Sequence, residues 1–314
     1  VRTIGTSGIE IFPLALGANT FGWTSDEAES QQVLDAFVAA GGNFIDTADM
    51  YSSWVPGNSG GESETVLGRW VRERRNRDSV VIATKVGAHP DFKGLARANV
   101  QAAAEASLQR LQTDYIDLYY AHYDDEDVPM VEIAAVFDGL VQAGKVRHIA
   151  LSNMSPERID EWIRIAQTEG MAVPVALQPH YNLVHRKDFE QNYVPLVQRH
   201  GLAVFPYSSL ASGFLSGKYR TAQDADGAAR GPMLESYLTP DGFAVVDALD
   251  KVATARGISS TTAALAWLLT RPTITAPLAS ARTVEQLPDL LAAVETELSA
   301  EERAVLEDAS SPFS

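Results

Sequence analysis

Apolar residues recur along this chain at two alternating periods, and the alternation predicts its architecture. Short continuous apolar runs of strand length occur at residues 14–17, 44–46, 80–84, 116–121, 146–151, 175–178, 203–207 and 274–278. Between them the spacing turns helical. Val33, Leu34, Phe37 and Val38 share one face of a helix predicted over 26–40, and Val66, Leu67, Trp70 and Val71 share a face over 62–75. Further helices are predicted over 96–111, 129–143, 156–169, 187–200, 243–256, 261–270, 283–294 and 299–309. The punctuation agrees: Gly41-Gly42 follows the first helix, and Pro129 opens the helix that Gly144 closes. Turn residues at 5–8 within residues 3–11 predict a small β-hairpin ahead of the first run. Residues 208–240 read as a long Gly/Ser-rich loop.

Eight strand–helix alternations imply right-handed βαβ units and a parallel sheet. Eight of them in 314 residues predict an α/β fold, a closed (β/α)8 TIM barrel with an N-terminal β-hairpin and extra C-terminal helices. An open doubly wound sheet is the alternative. No linker, repeat or low-complexity segment divides residues 1–314, so one domain is expected. The formal charge of −16 repels nucleic acid and anionic membranes, and neither is expected as a partner. An acidic chain that binds an anion must build a local basic site, which makes its few Lys and Arg informative. Cysteine is absent, which removes disulfides, thiol catalysis and thiolate-bound metals. No charged segment followed by an apolar one opens the chain, and no run of about 18 apolar residues occurs. The expectation is a soluble cytoplasmic protein.

The barrel reading gathers the strands' C-terminal ends at one mouth. Those ends carry Asp46, Lys85, His122, Ser152-Asn153, Gln178 and Tyr207, with Tyr51 in the loop after the second strand. Taken singly each has an ordinary explanation. An Asp after a strand often caps the next helix, and a lone Lys or His there is usually a loop or structural residue. Together they suggest carbonyl chemistry. A phenol of pKa ~10 is a poor donor at neutral pH, and a nearby ammonium favours its phenolate. Lys85 can supply that charge, Asp46 can hold Lys85 in place, and His122 can donate to the oxygen that Tyr51 protonates. Such a pocket stabilises a carbonyl oxygen becoming an alkoxide. No metal site is expected. The hydride donor is missing and must be a cofactor. There is no G-x-G-x-x-G, H-E-x-x-H or P-loop. Gly57-Asn58-Ser59-Gly60-Gly61 fits a nucleophile elbow, but no apolar strand precedes it, so a loop is expected.

Several segments resemble the aldo-keto reductase family over essentially the full length. They are Asn43-Phe44-Ile45-Asp46-Thr47-Ala48 through Tyr51, Gly61-Glu62-Ser63-Glu64 through Leu67-Gly68, Ala83-Thr84-Lys85, Tyr115-Ile116-Asp117-Leu118 through His122, and Gly144-Lys145-Val146-Arg147 through Ser152-Asn153. The chain is most similar to the bacterial branch that also resembles potassium-channel β-subunits. The resemblance implies Tyr51 as general acid, Lys85 and Asp46 as its tuning pair and His122 as the carbonyl-orienting donor. It implies NADP(H) extended across the mouth. Ser152, Asn153 and Gln178 would hold its carboxamide, and Tyr207 would stack on the nicotinamide. The segment with Ser208, Leu210, Gly213, Leu215, Gly217 and Lys218 would follow the pyrophosphate. Ala279, Ser280, Arg282 and Gln286 would take the adenosine end, with Ser280 and Arg282 on the 2′-phosphate. Thr20 and Phe21, after the first strand, join this cofactor set. Departures are Ser209 where Pro is usual, Leu278-Ala279 in place of a Gly-containing turn, and Leu290 where Asn is common.

Phe21, Trp54 and Tyr123 are expected in loops over the mouth, lining an apolar pocket for a small-molecule carbonyl substrate. The acidic run 124–127 would disfavour substrates bearing carboxylates. An oligomer is compatible with the sequence, which does not specify one. Two other classes stay open beside the reductase. One is a redox-sensing NADP(H)-binding protein with slow turnover. The other is a barrel lyase or hydrolase that uses Lys85, which as an aldolase would leave a Schiff base reducible by borohydride.

Overall fold

The computed structural model describes residues 1–225 and 233–314. Part of the loop expected over 208–240 therefore lies outside the described residues. The chain opens with an antiparallel hairpin of β1 (Arg2–Thr3) and β2 (Glu10–Ile11). Asn43, just before the second barrel strand, ties this hairpin down by accepting from Phe12 N and donating to Glu10 O. The hairpin thus closes the end of the barrel opposite the mouth.

Strands and helices then alternate. In order they are β3 (Ala15–Gly17), α1 (Glu27–Ala39), β4 (Phe44–Asp46), α2 (Glu62–Arg74) and β5 (Val81–Val86). A second hairpin follows, β6 (Ala88–His89) with β7 (Phe92–Lys93), which the sequence pattern did not announce. Next come α3 (Arg97–Leu111), β8 (Ile116–Ala121), α4 (Met130–Gln142), β9 (Val146–Ser152), α5 (Pro156–Glu169) and β10 (Ala176–Gln178). A π-helical turn (Phe189–Tyr193) leads into α6 (Val194–His200), then β11 (Ala203–Val204), α7 (Pro240–Arg256), α8 (Ser260–Thr270), β12 (Leu278–Ala279), α9 (Leu287–Glu295) and α10 (Ala300–Ala309).

Every neighbouring pair in the eight-stranded sheet is parallel, in the order β11-β10-β9-β8-β5-β4-β3-β12. The ring closes between its end strands: Thr275 N donates to Val204 O at 2.9 Å, and Leu278 N donates to Pro206 O at 3.0 Å. This is a (β/α)8 barrel. Two strands are shorter than the hydrophobic runs that announced them. The run at 203–207 gives two ladder residues, and the run at 274–278 becomes a strand only at Leu278.

Strand alternation separates two cores. Ala15, Phe44, Val81, Ala83, Leu118, Tyr120, Ala150, Ala176 and Phe205 fill the barrel interior, joined by Ile4 and Ile11 from the hairpin. The intervening residues, such as Ile45, Ile82, Tyr119, Ile149 and Leu177, face the helices. Because side chains on a strand repeat every two residues, the inward rows continue past the apolar filling. Phe44 leads to Asp46, Ala83 to Lys85, Ala150 to Ser152 and Ala176 to Gln178. The polar set at the mouth is the last inward layer of the same strands. Helix packing is equally constrained where α2 meets α3: a Cβ on Gly68 would lie 2.1 Å from Arg110 O.

Candidate active site

The centre of the mouth is a buried ion pair. Lys85 and Asp46 have no exposed side-chain surface, and Lys85 Nζ lies 2.5 Å from Asp46 Oδ2. The ammonium has three protons, and three acceptors surround it: Asp46, Thr47 O at 2.7 Å and the Tyr51 hydroxyl at 3.1 Å. Gln178 Nε2 donates to the other Asp46 oxygen at 2.9 Å. Burial works against the Lys85 charge, but Asp46 and Tyr51 outweigh it and hold its pKa above the ordinary value. Burial likewise pushes the Asp46 carboxyl up, opposed by Lys85 and Gln178. Lys85 is expected from its charge to lower the Tyr51 pKa. Lys85 does pull in that direction, yet burial and the Asp46 charge prevail, and the net shift is upward. That expectation is corrected in its net sign. Tyr51 is a protonated phenol at neutral pH, as a proton donor must be.

Local structure fixes where Tyr51 points. Ser52, next in the chain, has a left-handed backbone (φ 71°), and its hydroxyl donates to Phe21 O at 2.8 Å. Asn58 Nδ2 donates to Gly22 O and to Ser52 O. The loop carrying Tyr51 is thus bound to the loop after β3. His122 follows β8, its N–H on Val86 O. Its ring centroid is 6.3 Å from that of Tyr51. Burial, then the Lys85 charge, push the His122 pKa well below its usual value, so the imidazole is neutral. Its Nδ1 is buried without a partner.

The residues assigned to the cofactor divide into two groups. Those in the first group lie together around the mouth. Ser152 Oγ donates to Gln178 O, Asn153 Nδ2 donates to His122 O and Ser152 Oγ, and the Tyr207 hydroxyl donates to Asn153 Oδ1. Asn153 and Ser208 both have left-handed backbones. Beyond them a 3-10 segment (Ala211–Ser216) contains Gly213 at φ 94°, and a Cβ there would come within 3.0 Å of Lys218 Nζ. Leu210 and Gly217 are half-buried along it. Ser280, past β12, donates to Asn19 Oδ1 at 2.5 Å. Arg282 N donates to Gln286 Oε1, while the Arg282 guanidinium is exposed and unpaired among the described residues. Ala279 is almost fully buried at the end of β12.

The second group has buried side chains. Thr20, Phe21 and Leu215 have 0% exposure. Phe21 and Leu215 pack in the core between barrel and helices, and the Thr20 carbonyl collects the N–H groups of Trp23, Thr24 and Ser25. The turn after β3 buries the side chains of Thr20 and Phe21, so any contact that these three residues make with a cofactor is through the backbone. The Phe21 ring is packed in the core rather than over the mouth. Trp54 (45% exposed) and Tyr123 (48% exposed) do stand over the mouth. Trp54 meets Tyr51 at 6.2 Å and Trp23 at 5.4 Å between ring centroids, and Tyr123 stacks on His122 at 4.9 Å.

Asn19, Trp23, His180 and Asp49 also stand at or beside this site, and the sequence pattern did not single them out. Trp23 and Asn19 follow a strand as Tyr51 does, and that placement was the available signal. His180 is stacked between Tyr207, at 5.1 Å, and His185, at 3.8 Å. Asp49 lies two residues before Tyr51, fully buried, with neither carboxylate oxygen at hydrogen-bond geometry to any donor. Burial, reinforced by Glu64, raises its pKa to about 8. The acidic run does not act as a free negative surface throughout: Asp124 is paired with Arg158, and Asp125 accepts from Leu95 N. No cluster of three or more potential metal ligands occurs among the described residues, and no described helix is long and apolar enough to cross a membrane.

Ser152, Asn153 and Gln178 adjoin the Tyr207 ring, the turn at Gly213 lies against Lys218, and the Arg282 guanidinium is unpaired among the described residues. Residues 13–310 match the Aldo/keto reductase family. The chain is 32% identical to the Uncharacterized oxidoreductase YrpG of Bacillus subtilis, over 97% of this chain and 94% of that protein. It is 30% identical to the Norsolorinic acid reductase of Aspergillus flavus, over 98% of this chain and 80% of that protein. It is also 30% identical to a Probable voltage-gated potassium channel subunit beta of Oryza sativa, over 94% and 90%.

Proposed function

The chain belongs to the aldo/keto reductase family, and from that premise we propose that it reduces aldehydes or ketones to alcohols with NADPH, Tyr51 giving the proton. The observation that carries this reading is the Tyr51 hydroxyl 3.1 Å from a buried ammonium that Asp46 holds. As a carbonyl oxygen gains negative charge, the phenol is the available acid. Lys85 then stabilises the phenolate left behind, in a site where water does not screen it. His122, neutral and beside Tyr51, orients that oxygen by donating from the ring nitrogen other than the buried Nδ1. NADPH, when bound, supplies the hydride. Ser152, Asn153, Gln178 and Tyr207 would position its nicotinamide end, and Ser208, Leu210, Gly213, Gly217 and Lys218 its pyrophosphate. Asn19, Ala279, Ser280, Arg282 and Gln286 would take its adenosine end.

Trp54 and Tyr123 flank Tyr51 with aromatic surface, which favours flat neutral carbonyl compounds over charged ones. The test is oxidation of NADPH, followed by absorbance, with a neutral aromatic aldehyde and with its carboxylated analogue. Turnover with the first at the higher kcat/KM is expected. No turnover with any aldehyde or ketone, despite NADPH binding, would refute the reductase reading. The likeness to a channel subunit favours a second reading, an NADP(H) sensor with slow turnover. It expects tight cofactor binding with kcat far below the 1–10³ s⁻¹ typical of enzymes.

A further inference from the structure

Gln178 was assigned above to the cofactor, yet its side chain is already committed. The amide nitrogen donates to Asp46 Oδ1 at 2.9 Å, and Gln178 is only 2% exposed. Only the nitrogen end of the amide can face a carboxylate, because both are otherwise acceptors. Asp46 has no exposed surface and two donors, Lys85 on one oxygen and Gln178 on the other. A buried carboxylate stays charged only while donors replace the water it has lost.

We propose that Gln178 is a positioning residue for the proton donor: it keeps Asp46 anionic, so that Asp46 holds the Lys85 ammonium against Tyr51. The inference rests on Tyr51 being the acid. It gives the residue a second task besides any contact with a nicotinamide carboxamide. The network has the connections for it. From Tyr207 the hydrogen bonds run through Asn153 and Ser152 to the Gln178 carbonyl, and from the Gln178 side chain through Asp46 and Lys85 to Tyr51. A ligand amide that engaged Gln178 would therefore alter the support of Asp46 and, two contacts further on, the strength of the acid.

The direction follows from the chemistry. Without the Gln178 donor, Asp46 becomes the stronger base and draws the proton of Lys85 towards itself. Tyr51 then has less positive charge beside it and becomes the weaker acid. In the reductive direction activity falls at high pH as Tyr51 loses its proton. The variant should have a lower plateau and an alkaline limb displaced to higher pH.

The test compares Gln178→Leu with Ser152→Ala, which leaves Asp46 untouched. The measurements are the pH profile of kcat at saturating NADPH and the NADPH Kd by tryptophan fluorescence. For Gln178→Leu a fall in kcat of about tenfold is expected, with a limb about one pH unit higher, since one unit of pKa is a tenfold change in proton equilibrium. Ser152→Ala should change Kd without moving the limb. A Gln178→Leu profile superimposable on the wild type, with only Kd raised, would overturn the proposal and leave Gln178 a cofactor ligand. Gln178→Met repeats the measurement should the leucine variant not fold, and failure of both to fold would also count against it, since the proposal gives Gln178 no packing role. Wild-type turnover in Tyr51→Phe is a different outcome: it would remove the acid itself and, with it, the reductase mechanism.

Discussion

Two buried acids, Asp46 and Asp49, stand five and two residues before Tyr51, and the structure treats them differently. Asp46 has Lys85 and Gln178 as donors, whereas Asp49 has none. Its pKa of about 8 makes Asp49 a neutral carboxylic acid at neutral pH. The folded protein holds a proton there that the unfolded chain, with an ordinary aspartate, has lost. The stability tied to this proton is full below about pH 4 and is lost as pH rises towards 8, by roughly 1.4 kcal/mol per pH unit within that window. Asp49→Asn should flatten this slope and unfold at a higher urea midpoint than the wild type at pH 8, with little difference at pH 4. An unchanged pH dependence would mean that Asp49 is ionised in the folded protein. Tyr51→Phe makes the complementary residue-scale prediction. It removes the transferable proton and keeps the ring, so kcat should fall about a hundredfold or more while NADPH Kd stays within about twofold. Stopped-flow turnover beside a fluorescence titration separates the two quantities. A parallel loss of binding would mean that the hydroxyl serves the cofactor rather than the chemistry.

The elements differ in how legible they were. Six of the eight barrel strands lie where apolar runs placed them, because a buried parallel strand is continuously apolar and bounded by polar residues. β11 and β12 are shorter than their runs, since Pro206 and Pro277 lack the N–H that a ladder needs. The hairpin β6–β7 escaped notice because each arm has two residues, too few for any period. The four residues proposed for catalysis were readable because each ends a strand or follows one closely. Loop positions were less readable: nothing in Asn19-Thr20-Phe21 tells which of the three faces the mouth, since that depends on a turn whose hydrogen bonds converge on the Thr20 carbonyl. The segments after β11 and β12 carry the cofactor prediction. The Lys218 ammonium stands over the Tyr219 ring, and the Arg282 guanidinium has no ion-pair partner among the described residues. Arg282→Ala should raise the NADPH Kd roughly tenfold to a hundredfold, as one charge-assisted contact is worth about 1.5–3 kcal/mol, and leave NADH nearly unchanged. Equal losses for both cofactors would remove Arg282 from the 2′-phosphate.

Across the whole molecule the barrel is held unevenly. β5, β8 and β9 pair over four or five residues each, whereas the ring closes between β11 and the segment before β12 through a handful of backbone bonds. Thr275 carries much of that seam. Its N–H donates to Val204 O, and its hydroxyl accepts from Val204 N at 3.0 Å. Ala276 N also donates to Val204 O, at 3.3 Å, but a backbone N–H cannot replace the hydroxyl that accepts from Val204 N. The seam also adjoins the site: Pro206, which accepts from Leu278 N, precedes Tyr207, and Leu278 precedes the segment with Ser280 and Arg282. Closing the barrel therefore brings the nicotinamide and adenosine ends of the proposed cofactor site onto one rim. Thr275→Val keeps the shape of the side chain and leaves the Val204 N–H buried without its acceptor, which should cost about 1–3 kcal/mol in urea unfolding. Hydrogen exchange should quicken first at Val204 and Leu278, ahead of the amides of β8. Bound NADPH should restore their protection in the variant, because a ligand that spans both rims of the seam stabilises its closed form in proportion to occupancy. Protection at β8 lost together with that at the seam would show that the barrel opens as one unit.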